Sequence, residues 1–152
     1  MMRIALTAAF IFCLLTTQAS AEESYVCIAD LSTGFKLNTI TKQWETANFR
    51  TDSKYLIGRE KRENMNWVWK GKKFGEEYSD FFCEEDFNDH GYLTCSGIVG
   101  KFTMNKTNLR YSLYTHIGFV TANIMNDKGE MVNKESDGAD TPYMEIGKCS
   151  SM

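Results

Sequence analysis

The chain has 152 residues, 43% hydrophobic and 13% aromatic, with a formal net charge of −3 and five cysteines. Mild acidity disfavours a generic electrostatic grip on nucleic acid or anionic lipid, which needs a basic face. The length suits one domain, because a chain of this size can bury roughly two-thirds of its unfolded surface and form a real core.

Met1 to Ala21 reads as an export signal. Arg3 gives a positive start, Ile4 to Leu15 an apolar run, Thr16 to Gln18 a polar spacer, and Ala19-Ser20-Ala21 the small residues of a cleavage site. Cleavage after Ala21 is expected, leaving residues 22–152 as a single β-barrel-like domain. The run falls short of the roughly 20 apolar residues of a membrane-spanning helix, and no later stretch is as long. The mature chain is therefore expected in the periplasm or secreted, without membrane insertion. Cys13 lies inside the apolar run, lacks the flanking residues of a lipid-anchor site, and belongs to the signal.

Beyond the signal, alternation of period two recurs and helical periodicity is hard to find. Strands are expected at Tyr25 to Leu31, Phe35 to Ile40, Trp44 to Phe49, Lys54 to Ile57 and Trp67 to Lys70, with turns at Ser32-Thr33-Gly34 and Thr51-Asp52-Ser53. Gly58 to Asn66, built around Arg59-Glu60-Lys61-Arg62-Glu63, reads as a solvated connection. Strand-like runs at Phe81 to Glu85 and Tyr92 to Cys95 flank Asp86-Phe87-Asn88-Asp89-His90-Gly91, a turn-rich segment. In Ile98 to Ile117 two runs alternate, and a loop at Asn105 to Asn108 would pair Met104 with Leu109, Phe102 with Tyr111 and Gly100 with Leu113, all on one face. Asp127-Lys128-Gly129 reads as a turn and Asn133 to Asp140 as a loop. Thr141 to Cys149 reads as the final strand, with the lone proline, Pro142, near its start.

Cys27, Cys83, Cys95 and Cys149 remain in the exported chain, where disulfides are the default. Four cysteines allow three connectivities. Folding the Phe81 to Cys95 hairpin about Asp89 sets Cys83 opposite Cys95 and leaves Cys27 with Cys149, first strand to last. No Cys-x-x-Cys pair occurs and the only histidines are His90 and His116, so disulfides outrank zinc. The expected fold is all-β, a small antiparallel barrel or closed sandwich of about eight strands, stapled by two disulfides.

Chemistry-bearing motifs are sparse. There is no Gly-x-Ser-x-Gly elbow, phosphate-binding loop or His-Glu-x-x-His sequence, and neither histidine sits in a nucleophile motif. Glu84, Glu85, Asp86 and Asp89 cluster in one loop, where a hydrated surface is the ordinary explanation. The same loop shares only its opening with a calcium loop, since Gly97 stands where the closing Glu belongs. No cofactor or metal is expected. Asn105-Lys106-Thr107 is a glycosylation sequon.

Aromatic residues concentrate in the middle of the chain. Trp67 and Trp69 are expected on one face of a strand, followed by the basic loop Gly71-Lys72-Lys73-Phe74-Gly75. Core filling is the default role for such rings; a binding role for Trp67, Trp69, Lys72, Lys73 and Phe74 is the functional alternative. With its signal, paired cysteines and Ser136-Asp137-Gly138 near Tyr143, the chain is similar in outline to bacterial periplasmic lysozyme inhibitors, and its barrel reading to lipocalin-like proteins. That resemblance implies architecture alone. The functional expectation is an exported, non-enzymatic binding protein engaging a small apolar ligand or a protein partner through aromatic residues and barrel-end loops. An exported hydrolase inhibitor, or a small hydrolase using the acidic loop, is the alternative.

Overall fold

The computed structural model describes residues 23–60, 64–97, 100–116, 119, 123–125, 131–133 and 141–152. The expected signal Met1 to Ala21 lies outside them, as do the turn at Asp127-Lys128-Gly129 and all but the first residue of the loop Asn133 to Asp140. In chain order the strands are β1 (Ser24–Leu37), β2 (Trp44–Asn48), β3 (Lys54–Arg59), β4 (Trp69–Lys73), β5 (Phe81–Cys83), β6 (Tyr92–Ser96), β7 (Gly100–Asn105), β8 (Arg110–Thr115), β9 (Asn123–Met125), β10 (Met131–Asn133) and β11 (Tyr143–Ser151). No helix occurs among the described residues.

Eight strands close into an antiparallel barrel in the order β1, β3, β4, β5, β6, β7, β8, β11, with β11 returning to β1. The ninth, β2, lies outside that ring and pairs with the second half of β1, while β9 and β10 form a separate two-stranded ladder. Closure pairs the edges that would otherwise stand open. Alternation explains the filling: Trp69, Phe81, Phe102, Ile57, Leu93, Met104 and Leu113 point inward and are all less than 2% exposed. Phe102 stacks on Tyr111 at 5.2 Å between centroids, and Tyr55 meets Phe81 edge-on at 6.1 Å.

Both expected disulfides are present, Cys27–Cys149 and Cys83–Cys95. Cys27 faces Cys149 in the β1–β11 ladder, so the longer bridge sits on the seam where the barrel closes. The shorter one joins β5 to β6 in the register expected for that hairpin, with Phe82 opposite Ser96. Two disulfides fit a chain that works in an oxidising compartment.

Three local expectations are corrected. The turn at Ser32-Thr33-Gly34 does not form, because β1 runs unbroken from Ser24 to Leu37. Gly34 is there for close approach: a Cβ at this position would collide with the Pro142 carbonyl oxygen at the start of β11. The β7–β8 register is shifted by two residues, with Met104 opposite Tyr111 and Phe102 opposite Leu113. The faces survive because a two-residue shift preserves the alternation. The cause is a four-residue turn in which Asn105 Oδ1 accepts the Thr107 and Asn108 N–H groups while Leu109 takes a left-handed φ of 54°. Finally, Trp67 and Trp69 do not share a face. The Val68 N–H bonds to the carbonyl of Cys83, the residue paired with Trp69, so an extra residue enters ahead of β4 and turns Trp67 away.

Candidate functional site

An aromatic concavity lies on the outer face of β2, β1, β11 and β8, near the end of the barrel where the β1–β2 hairpin projects. Register builds it row by row. Trp44 pairs with Leu37 and Thr46 with Phe35, so Trp44 and Phe35 emerge on the same face. Thr33 pairs with Met144, and Met144 with Tyr114, which carries that face across β11 to β8. The resulting groove has a volume of about 560 Å³. Phe119 closes one side, edge-on to Trp44 at 5.3 Å and 81°. Pro142 and Tyr143 form the floor, and His116, stacked on Tyr114 at 6.0 Å, completes the lining. No carboxylate lines it among the described residues.

Directly inside the wall lies a polar cluster. Glu145 follows Met144 and therefore points inward, where it is only 1% exposed. The Tyr111 hydroxyl donates to Glu145 Oε1 at 2.8 Å. Burial, then that bond, pushes the Tyr111 hydroxyl far above its ordinary value. Burial does the same for Tyr55, against a hydrogen bond from Ser53, and for Tyr143. These hydroxyls stay protonated, and Tyr111 supplies the donor that a carboxylate sealed in a barrel requires.

The sequence-derived candidates are not brought together. Trp69 is fully buried near the opposite end of the barrel, its indole N–H donating to Asp86 Oδ1 at 2.8 Å and its ring edge-on to Phe87 at 5.3 Å. Trp67 packs outside the wall against Phe82 at 4.7 Å. Lys72 pairs with Leu56 midway along the barrel wall, and Lys73 closes β4 with its N–H on Asp80 Oδ2. Phe74 begins the β4–β5 loop and is 68% exposed, close in sequence to Tyr78 at 79%.

The acidic loop is a structural element. Phe82, Glu84, Glu85, Asp86 and Asn88 border a shallow cleft of about 290 Å³. Burial acts to raise the Asp86 carboxyl, but the N–H donors of Trp69 and Phe87 and the Arg59 guanidinium outweigh it and hold it below its ordinary value. Asn88 Oδ1 accepts the His90 and Tyr92 N–H groups, giving an ordinary side-chain-capped turn. His90 sits on this loop and His116 follows β8 at the other end, so the strands of the barrel separate the two imidazoles. Among the described residues no three His, Cys, Asp or Glu side chains gather as a metal ion would need. The sequon Asn105 is 8% exposed, with its Nδ2 donating to the His90 carbonyl at 3.1 Å as well as its oxygen engaged; the amide serves the fold.

No protein-family model, curated protein or solved structure matches the chain. Sequence reading missed Phe35, Trp44, Met144 and Tyr114 as a group because they converge only through the β1–β11 pairing, more than a hundred residues apart along the chain, as the Cys27–Cys149 separation of 122 shows. Tyr114 gave one local signal: it is an aromatic on the face opposite the apolar one of its strand.

Proposed function

We propose that the chain is an exported, non-enzymatic binding protein whose site is the aromatic groove over β2, β1, β11 and β8, and whose ligand is a small apolar molecule. The observation that carries this reading is the groove itself, about 560 Å³ and lined by Phe35, Trp44, Tyr114 and Met144 on paired strands. Its volume falls in the roughly 300–1,000 Å³ range of small-molecule sites, and its lining is of the apolar, aromatic kind they use. The barrel interior is filled by its own side chains, which favours a ligand held outside the wall. The signal-like Met1 to Ala21 and the two disulfides support export to the periplasm or the extracellular space.

A protein partner, including an inhibited hydrolase, is the second reading. It is favoured by one observation: the apolar surface continues past the groove onto Leu31 and Ile146, which pair in register and are both exposed. A neutral, environment-sensitive naphthylamine dye distinguishes the readings. The protein should bind it stoichiometrically, and Trp44→Ala should weaken binding by about tenfold or more, the loss expected when a buried aromatic contact worth roughly 1.5–3 kcal/mol is removed. Tyr78→Ala, on an exposed loop outside the groove, should leave it unchanged. Equal binding by wild type and Trp44→Ala, at equal thermal midpoints, removes the groove as the site; no dye binding at all leaves the partner reading in its place.

A further inference from the structure

We infer that the groove takes a single-chain anionic amphiphile, its tail against Phe35, Trp44 and Met144 and its charged head beside Lys101. The inference rests on the groove reading above and adds the chemistry of the head. Lys101 on β7 stands directly opposite Tyr114 on β8, so the two side chains leave the same outer face as neighbours across one strand spacing. Lys101 is exposed, and among the described residues it has no ion pair. Arg110, a cation further along this face, also has no carboxylate partner among the described residues, whereas Lys148 is already committed to Asp30 at 3.8 Å.

Charge on this face runs against the composition. The chain carries a net −3, yet among the described residues the groove lining offers no carboxylate, and Lys101, which faces the lining residue Tyr114 across the β7–β8 ladder, has no ion-pair partner. Glu45, the acid closest in sequence to Trp44, pairs with Lys36 and alternates onto the other face of the hairpin. A neutral apolar ligand would satisfy the rings and leave Lys101 idle. One with a terminal carboxylate or phosphate satisfies both, because the long lysine stem can lie along the Tyr114 ring and place its ammonium at the groove's open end.

Displacement of the naphthylamine dye by dodecanol, dodecanoate and dodecyl phosphate tests this. Wild type should bind one or both anions about fivefold more tightly than the alcohol, the size of an exposed charge pair, and the preference should shrink at high salt. Lys101→Met, which keeps the apolar stem, should abolish the preference and leave dodecanol affinity unchanged; Lys72→Met on the far side of the barrel should change neither. Displacement by all three compounds with equal affinity overturns the charged-head assignment and leaves the groove reading standing. A preference that survives in Lys101→Met overturns it as well. If none of the three displaces bound dye, the amphiphile assignment falls, while the groove reading is decided by the Trp44→Ala result.

Discussion

Glu145 is the most deeply buried polar residue described in the interior. A carboxylate 1% exposed inside a barrel loses its hydration, and the replacement is tyrosine hydroxyl, above all Tyr111 at 2.8 Å. Tyr111→Phe keeps the ring stack on Phe102 and removes only that donor, so it should cost about 1.5–3 kcal/mol, read as a lower urea midpoint at unchanged slope. The tyrosines also set an alkaline limit. Tyr25, Tyr55, Tyr111 and Tyr143 hold their protons in the folded chain above the ordinary value of 10.0 at which the unfolded chain releases them, Tyr25 being pushed up to about 12 chiefly by burial. The folded state then binds more protons than the unfolded one above pH 10.0. Stability is therefore complete below that pH and is lost as pH rises through about 12 and beyond. Thermal midpoints measured across this range should fall steadily, and a flat profile up to pH 12 contradicts the buried, protonated assignment.

At the scale of elements, the groove depends on how closely β1 and β11 approach. Gly34 permits the contact, and the Phe35 N–H bonds to the Pro142 carbonyl oxygen at 3.0 Å just beyond it. Gly34→Ala drives a methyl group into that carbonyl and should cost about 1–3 kcal/mol of overpacking. The damage should be local, with faster hydrogen exchange at the Phe35 amide and weaker dye binding, while the amides of β6 and β7 exchange as before. Unchanged exchange at Phe35 contradicts the close approach. Gly34 also shows why some of the structure was legible in the sequence and some was not. Period-two alternation and the turn at Asp86 to Gly91 are local properties, so the inward faces of β7 and β8 and the Cys83–Cys95 register could be read directly. Gly34 looks like turn chemistry when its distant neighbour Pro142 is unknown. Trp67 and Trp69 show the same limit, since one bulge opposite Cys83 reverses a face that alternation alone assigns. Phe35, Met144 and Tyr114 each sit in an ordinary alternating strand, and only the seam between the first and last strands makes them a site.

The whole molecule is a ring closed at one seam, and its two disulfides test how that closure contributes. Cys83–Cys95 spans 12 residues inside a hairpin, whereas Cys27–Cys149 spans 122 and ties the first strand to the last. If each bridge acts by restricting the unfolded chain, loss of the short one costs about 3 kcal/mol and loss of the long one about 5. Cys27→Ser/Cys149→Ser should then be less stable than Cys83→Ser/Cys95→Ser by about 2 kcal/mol, because loop entropy grows only logarithmically with length. Both double variants bury similar serines in the same barrel wall, so most of the packing change cancels in the comparison. Urea unfolding at matched slopes reads the difference. A larger loss from the short bridge would mean that β5, the shortest strand of the barrel at three residues, relies on Cys83 to stay in the wall, and that the seam is held by its ladder without the bond. The expected order instead makes the Cys27–Cys149 bridge the main covalent guard of closure. The groove, built across that same β1–β11 seam, should then lose dye affinity in the Cys27→Ser/Cys149→Ser variant before it does in the other.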